Sequence, residues 1–411
     1  MRRMQRDRVT GDRREVVVTG LGAVTASGAG VDAFWNACVE GRSALRPAGP
    51  DLAGDGVAFP VGVVTLGPGD DAAPGGGERA AALLLAAAAE AIAGAGLAGA
   101  PLPRGAGATI GTCLGGARAT FDWIDAVAAA RGRDPGAPPW PSPGGFAAPT
   151  HRLAATHALA GPVTTISAAC VSGTAAVAHA ADAIRRGEAD LMLAGGVDAL
   201  SSFVLAGFGL LRALTPTQVR PFDRRRDGMA LGEGAGVLVL ESLETARRRR
   251  APILARVEGS GSAADAHHMT GPSPTGDGAA RALAAAIADA GGGVAAIDFV
   301  SAHGTGTPFN DRMETLAIKR VFGRRATEVP IDSIKPIIGH TLGAAGALEA
   351  ILCVRVIGSG LIPPTAHCEE PDPECDLDYV TGTARRHAVR RAISTSSAFA
   401  GCNAALVLGA A

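Results

Sequence analysis

Short β-rich runs alternate with long Ala- and Leu-rich stretches along this chain, and that alternation most narrows what it can become. Residues 16–19, 163–167, 191–194, 236–240, 299–302 and 405–408 read as buried strands, each a brief apolar run bounded by Gly or polar residues. Residues 80–95, 171–186, 278–290, 311–322 and 343–358 read as helices. Strands separated by helices of this length give an α/β fold whose sheets are central and covered. The Pro- and Gly-rich segments 47–77 and 132–148 read as surface excursions or caps over a cleft. A weak internal echo pairs VVVTGLGAVT near the start with FVSAHGTGTP near residue 300. It suggests two similar α/β halves, joined at about 251–257 after the cationic run 247–250. The chain then divides into a basic disordered tail, 1–14, and halves at 15–256 and 257–411.

Charge removes several function classes. Lys and Arg total 38 against 39 Asp and Glu, so no net field attracts nucleic acid or a membrane surface. The Ala-rich stretch 80–99 is interrupted by Glu90, Gly94 and Gly96 and reads as a packed helix, not a membrane span. Residues 1–14 hold six Arg and are too polar for a secretory signal. Seven Cys, an odd number without a CxxC pair, point to reduced thiols and a cytoplasmic protein. Cys368 and Cys375 flank acidic residues near His367; incidental loop thiols are expected there, and no metal site. The GxG at 20–22 lacks the third Gly, the helix start and the later acidic residue of a dinucleotide site.

Cys170 stands out among the thiols. In GPVTTISAACVSGTAAV a β-rich run ends at a tight turn of small residues, and a helix begins at or just after the Cys. The helix closes at Arg185-Arg186-Gly187, cations followed by a Gly cap. Its positive end faces the thiol and favours thiolate, the logic of a nucleophile elbow. A buried structural Cys fits the same segment.

Two histidines occupy similar settings. His303 in SAHGTGTP follows a strand, with Thr305 and Thr307 separated by single Gly; His340 in SIKPIIGHTLGAAG sits at a Gly turn before a small-residue helix. Lys319 and Lys335 are the only lysines in a chain that otherwise writes Arg. A Lys at 335 suggests a site too tight for a guanidinium, beside a buried carboxylate. Glu314 is the expected partner.

At these residues the chain resembles the β-ketoacyl-acyl-carrier-protein synthases, nearest the elongating type II class of the thiolase-like superfamily. The resemblance runs from Arg14 to the C-terminus through SAACVSGTAA, LMLAGGVDAL, RPFDRRRDGMALGEGAGVLVLE, SAHGTGTPFND, KPIIGHTLGAAGALE and SSAFAGCNAAL. It implies a duplicated αβαβα fold with layered helices and two central mixed sheets. Cys170 resembles the acyl-accepting nucleophile, and His303 and His340 the pair that activates a malonyl unit. Lys335 and Glu314 match a supporting ion pair. Thr305 and Thr307 match positions lining the phosphopantetheine tunnel, and Phe399 a mobile gate whose N–H joins that of Cys170 in the oxyanion hole.

The implied reaction is a decarboxylative Claisen condensation with malonyl carried on an acyl carrier protein, in fatty acid, polyketide or polyene synthesis. No metal or redox cofactor is expected. Partners implied are the carrier and a second subunit, either a copy or a chain-length-factor-like protein. A thiolase would carry a second Cys in a Cys-x-Gly pattern, which Cys402 lacks; a non-catalytic chain-length factor usually lacks the active Cys. The tail departs from the family: Ser396–Asn403 reads SSAFAGCN where Asn-Ser-Phe-Gly-Phe-Gly-Gly-Thr-Asn is usual, so altered gate motion and acyl preference are expected.

Overall fold

The computed structural model describes residues 13–53, 59–65, 79–130 and 145–411. The main path of the large sheet takes five strands from the first half: β1 (Val16–Thr25), β2 (Gly107–Gly111), β3 (Val163–Ile166), β4 (Leu191–Asp198) and β5 (Gly234–Ser242). Five follow from the second: β6 (Ala255–Ala264), β7 (Phe299–Ser301), β8 (Ile331–Asp332), β9 (Arg391–Ser397) and β10 (Cys402–Gly409). They hydrogen-bond in the order β8-β7-β9-β10-β6-β1-β5-β4-β2-β3. In each half the outer three strands are parallel and the inner two antiparallel. Each strand therefore has its counterpart five places later. Two mixed sheets were expected; they meet edge to edge where Val17 and Val18 oppose Arg256 and Ala255.

The helices fill layers around this sheet. They include α1 (Arg79–Gly94), α2 (Ala117–Ala130), α3 (Ser172–Arg185), α4 (Ser202–Leu210), α5 (Asp277–Ala290), α6 (Pro308–Phe322) and α7 (Ala345–Ser359). α3 and α7 pack on each other and on strands of both halves, forming the central layer. α1 covers β1 and β5 on one outer face; α5 covers β6 and β10 on the other, with α6 beside it. Among the described residues one stretch, Leu342–Ser359, is long and apolar enough to cross a membrane, and 78% of it is buried as this central helix.

The internal repeat differs from the one expected. By sheet position β1 matches β6, whereas FVSAHG belongs to β7, the counterpart of β2. The shared signal is a GxG inside a strand. A Cβ on Gly20 or Gly22 would come within 2.1 and 1.8 Å of Ala91 O and Ala87 O on α1. One on Gly259 or Gly261 would come within 2.5 and 2.3 Å of Ala286 O and Ala282 O on α5. Both strands also shift register just before the motif. These glycines are not turns; they let a helix backbone rest on a strand.

The basic tail also ends earlier than expected. Arg13 pairs with Asp289 at 2.5 Å, and Arg14 binds Asp190 and the Ile184 carbonyl. The rest of the tail and most of the two Pro/Gly-rich segments lie outside the described residues.

Candidate active site

Cys170 sits where β3 turns into α3. Ala169, immediately before it, takes a left-handed φ of 50°, a conformation that strains any residue with a Cβ. The Ser172 hydroxyl accepts from Ala168 N at 2.8 Å and closes the bend. The thiol is thereby held at the positive end of α3, buried but opening into a cavity of about 450 Å³. Its pKa is well below the usual thiol value. The neighbouring Cys113 leads in lowering it, His340 and Lys335 add to it, and burial opposes.

The second half supplies the histidines. His303 follows β7 and His340 precedes α7, so the two elements bring rings from separate turns to the floor of one cavity beside Cys170. Their centroids lie 5.1 Å apart, edge to face. Both are buried, and neither Nδ1 has a hydrogen-bond partner among the described residues. Burial, with Lys335 and His340 adding, pushes His303 well below the usual imidazole range, so it stays neutral at physiological pH.

One expected pair is corrected. Lys335 Nζ lies 2.6 Å from Glu349 Oε1, both side chains almost wholly buried. Glu314 instead accepts from His303 N at 2.7 Å, Gly304 N at 2.8 Å and the Thr395 hydroxyl at 2.5 Å. It fixes the His303 turn and leaves the cation alone, because the His303 and Gly304 N–H groups sit on the same turn as the carboxylate's reach. Glu349 continues through Ser396 (3.5 Å) to Thr174 on α3 (2.7 Å from Ser396), linking the lysine to the nucleophile's helix. Glu349 closes the KPIIGHTLGAAGALE run, and a lone carboxylate on a buried apolar helix was the signal for it.

The remaining residues line the mouth. Thr305 and Thr307 hydroxyls hydrogen-bond each other at 2.9 Å and both face the cavity. Phe399 lines it too, its ring stacked on Phe208 of α4 at 5.5 Å. The motifs gave no sign of Phe208. In the altered gate, Ala400 adopts φ 63°, a glycine-like conformation, and the Ser397 hydroxyl donates to Asn403 Oδ1 at 2.7 Å. Arg224 and Arg225 pair with Glu370, Arg226 with Asp372 and Arg249 with Glu241. Cys368 and Cys375 belong to a buried apolar cluster that pushes their thiols up to about 12 and about 11.

Comparison with known proteins follows the same map. The β-ketoacyl synthase N-terminal domain matches residues 77–246 and the C-terminal domain residues 254–369. A putative polyketide β-ketoacyl synthase 1 of Streptomyces halstedii is 39% identical over 419 residues, 96% of this chain and 98% of that protein. Nodulation protein E of Rhizobium sp. (strain N33) is 50% identical over 249 residues, 60% of this chain and 61% of that protein. The ishigamide ketosynthase/chain length factor superposes with TM-score 0.89 at 38% identity, over 97% of this chain and all of that one. A type II polyketide acyl-carrier protein in complex with its ketosynthase gives 0.88 at 31%, with the same coverage. Two adjoining domain matches and near-complete alignments thus agree with the cavity and its residues: the chain belongs to the β-ketoacyl synthase family, acyltransferases of thiolase-like fold.

Proposed function

We propose that the chain elongates an acyl group held on Cys170 by decarboxylative Claisen condensation with a malonyl unit carried on an acyl carrier protein. The convergence of Cys170, His303 and His340 on one cavity carries this reading. The Cys170 thiolate attacks an acyl thioester, and the carrier thiol leaves. Backbone N–H groups of Cys170 and Phe399 are the proposed donors to the oxyanion, each typically worth roughly 3 kcal/mol. The malonyl thioester then enters past Thr305 and Thr307. Its C–CO₂ bond breaks, and the electron pair becomes an enolate whose oxygen takes N–H bonds from the two imidazoles. A neutral His303 suits this task, since it donates without a charge to desolvate. The enolate carbon attacks the Cys170 thioester, the C–C bond forms and Cys170 thiolate is expelled.

Lys335, paired with Glu349, stands near His303 and favours its neutral state. No step calls for a metal or redox group. Kinship with type II polyketide synthases supports a polyketide or polyene product; fatty acid synthesis fits the same chemistry. A carrier protein and a chain-length-factor-like or identical second subunit are the proposed partners, supported by the two solved complexes. Cytoplasmic residence is part of the proposal.

Incubation with acyl carrier should leave a mass-detected acyl adduct on Cys170 that Cys170→Ser lacks. An unacylated wild type would overturn the assignment. His303→Ala and His340→Ala should acylate yet release CO₂ from malonyl carrier at least a hundredfold more slowly, by order of magnitude. Undiminished CO₂ release in both would contradict the division of labour.

A further inference from the structure

The turns that carry Cys170 and His340 come from different halves of the chain, and one carboxylate touches the supports of both. Asp198 ends β4 and is fully buried. Its Oδ1 accepts from Thr112 Oγ1 at 2.7 Å and Leu114 N at 2.9 Å; its Oδ2 accepts from Cys113 N at 2.8 Å and Gly343 N at 2.6 Å. Four donors fill the acceptor capacity of a carboxylate. Three of them lie on the turn after β2, and that turn bears on the nucleophile. The Ser172 hydroxyl, which closes the Cys170 bend by accepting from Ala168 N, lies 3.3 Å from the Thr112 carbonyl. The fourth donor, Gly343, follows closely on His340. His340 is itself pinned on its other side, donating to Ala230 O at 2.7 Å and accepting from Gly232 N at 2.9 Å. Between these two anchors Leu342 takes a left-handed φ of 52°, as Ala169 does at 50° before Cys170. Such conformations persist only where the surroundings over-determine them. The segments meet through bare main chain. A Cβ on Gly343 would lie 2.6 Å from Thr112 Cα, and one on Gly173 of α3 would lie 2.7 Å from Gly343 O.

We propose that Asp198 is a positioning residue that sets the separation of the Cys170 and His340 turns, and through it the bond-forming step. The proposal rests on the roles of Cys170 and the histidines given above. Acylation uses the Cys170 turn and loss of CO₂ uses the histidine pair, so each tolerates a small relative shift. Attack of the enolate carbon on the Cys170 thioester needs both turns at once, and a displacement near 1 Å can cost about a hundredfold there. An enolate that misses the thioester instead takes a proton from water, leaving an acetyl thioester on the carrier. Loss of Asp198 therefore uncouples CO₂ release from condensation.

The test mixes acyl-primed protein with malonyl carrier and counts the CO₂, 3-oxoacyl carrier and acetyl carrier formed. Wild type should release one CO₂ for each 3-oxoacyl product. Asp198→Ala should release about five or more, the excess matched by acetyl carrier, with KM for malonyl carrier nearly unchanged. In Asp198→Asn an amide in place of either oxygen leaves two donors without an acceptor, so a smaller excess is expected. The asparagine variant decides the outcome if alanine does not fold. Asp298→Ala is the control: Asp298 accepts from Arg390 N and Arg391 N at the end of β7 remote from His303. Its loss should lower the melting temperature and keep the ratio, since partial unfolding reduces CO₂ and product in proportion. A wild-type ratio in the Asp198 variants, or an equal excess in Asp298→Ala, would overturn the role of Asp198. If wild type makes no 3-oxoacyl product, the functional reading fails; if wild type and the Asp198 variants are all coupled, only the Asp198 role fails.

Discussion

At the scale of single residues, the buried titratable groups around Lys335 carry the least obvious costs. Lys335 has Glu349, but Asp332 at the end of β8 has no such partner among the described residues. The Ser301 hydroxyl stands beside it, yet neither carboxylate oxygen is in a well-formed hydrogen bond. Burial, reinforced by the Glu349 charge, raises its pKa well above the usual carboxylate value. The folded protein thus keeps a proton that the unfolded chain releases above about pH 4. A raised pKa adds stability in full below that point and loses it as pH climbs toward the folded pKa. Asp332→Asn removes this loss. The advantage of the variant should grow by roughly 1.4 kcal/mol per pH unit above pH 4 until the folded group ionises. Urea unfolding of both proteins at pH 5 and pH 8 measures it; a pH-independent difference would contradict the assignment.

At the scale of elements, the crossing of α3 and α7 sets the site, because one helix starts at Cys170 and the other follows His340. Gly346 makes the crossing close: a Cβ there would lie 2.0 Å from Thr174 Oγ1 and 2.6 Å from Thr174 N. Gly358, near the end of the same helix, faces open space. Gly346→Ala should destabilise by about 1–3 kcal/mol and slow Cys170 acylation, since the helices must part. Gly358→Ala should be neutral or stabilising by up to about 1 kcal/mol. Thermal melts of the two variants make the comparison, and equal losses would sink it. The same close packing governs what the sequence made legible. Helices α1, α3, α5, α6 and α7 announce themselves by their length and Ala/Leu content. Strands β2 (GATIG) and β6 (ARVEGSGSAA) do not. Their Gly and small residues exist because a helix or another backbone rests on them, and those residues erase β-propensity. Cys170, His303 and His340 were legible from local turns. The Glu349 partnership and the Asp198 clamp were not, since each joins positions brought together only by the fold.

At the scale of the whole molecule, a ten-strand path has two ends, and they are finished differently. β8 is capped: Ile331 N donates to Asp378 O, and Val380 N donates to Ile331 O, both at 2.9 Å. Among the described residues β3 pairs only with β2. Ala108 donates to Pro162 O while standing opposite Val163, so by the alternation of a parallel ladder the N–H and C=O of Val163 point away from β2. Val163 is itself exposed, and α2, which follows β2, exposes Ile124 and Val127. An uncovered edge beside apolar side chains invites another strand. The solved relatives include ketosynthases paired with a chain length factor, which gives that strand a source. The expected outcome is a β3-edge interface with an identical or related subunit. Val163→Pro removes the outward N–H and leaves the β2 ladder intact, so it should lower association by an order of magnitude or more in sedimentation velocity. The variant should keep the circular dichroism of the wild type. A dimer of undiminished affinity would show that the subunits meet elsewhere, and the open edge of β3 would then need another cover.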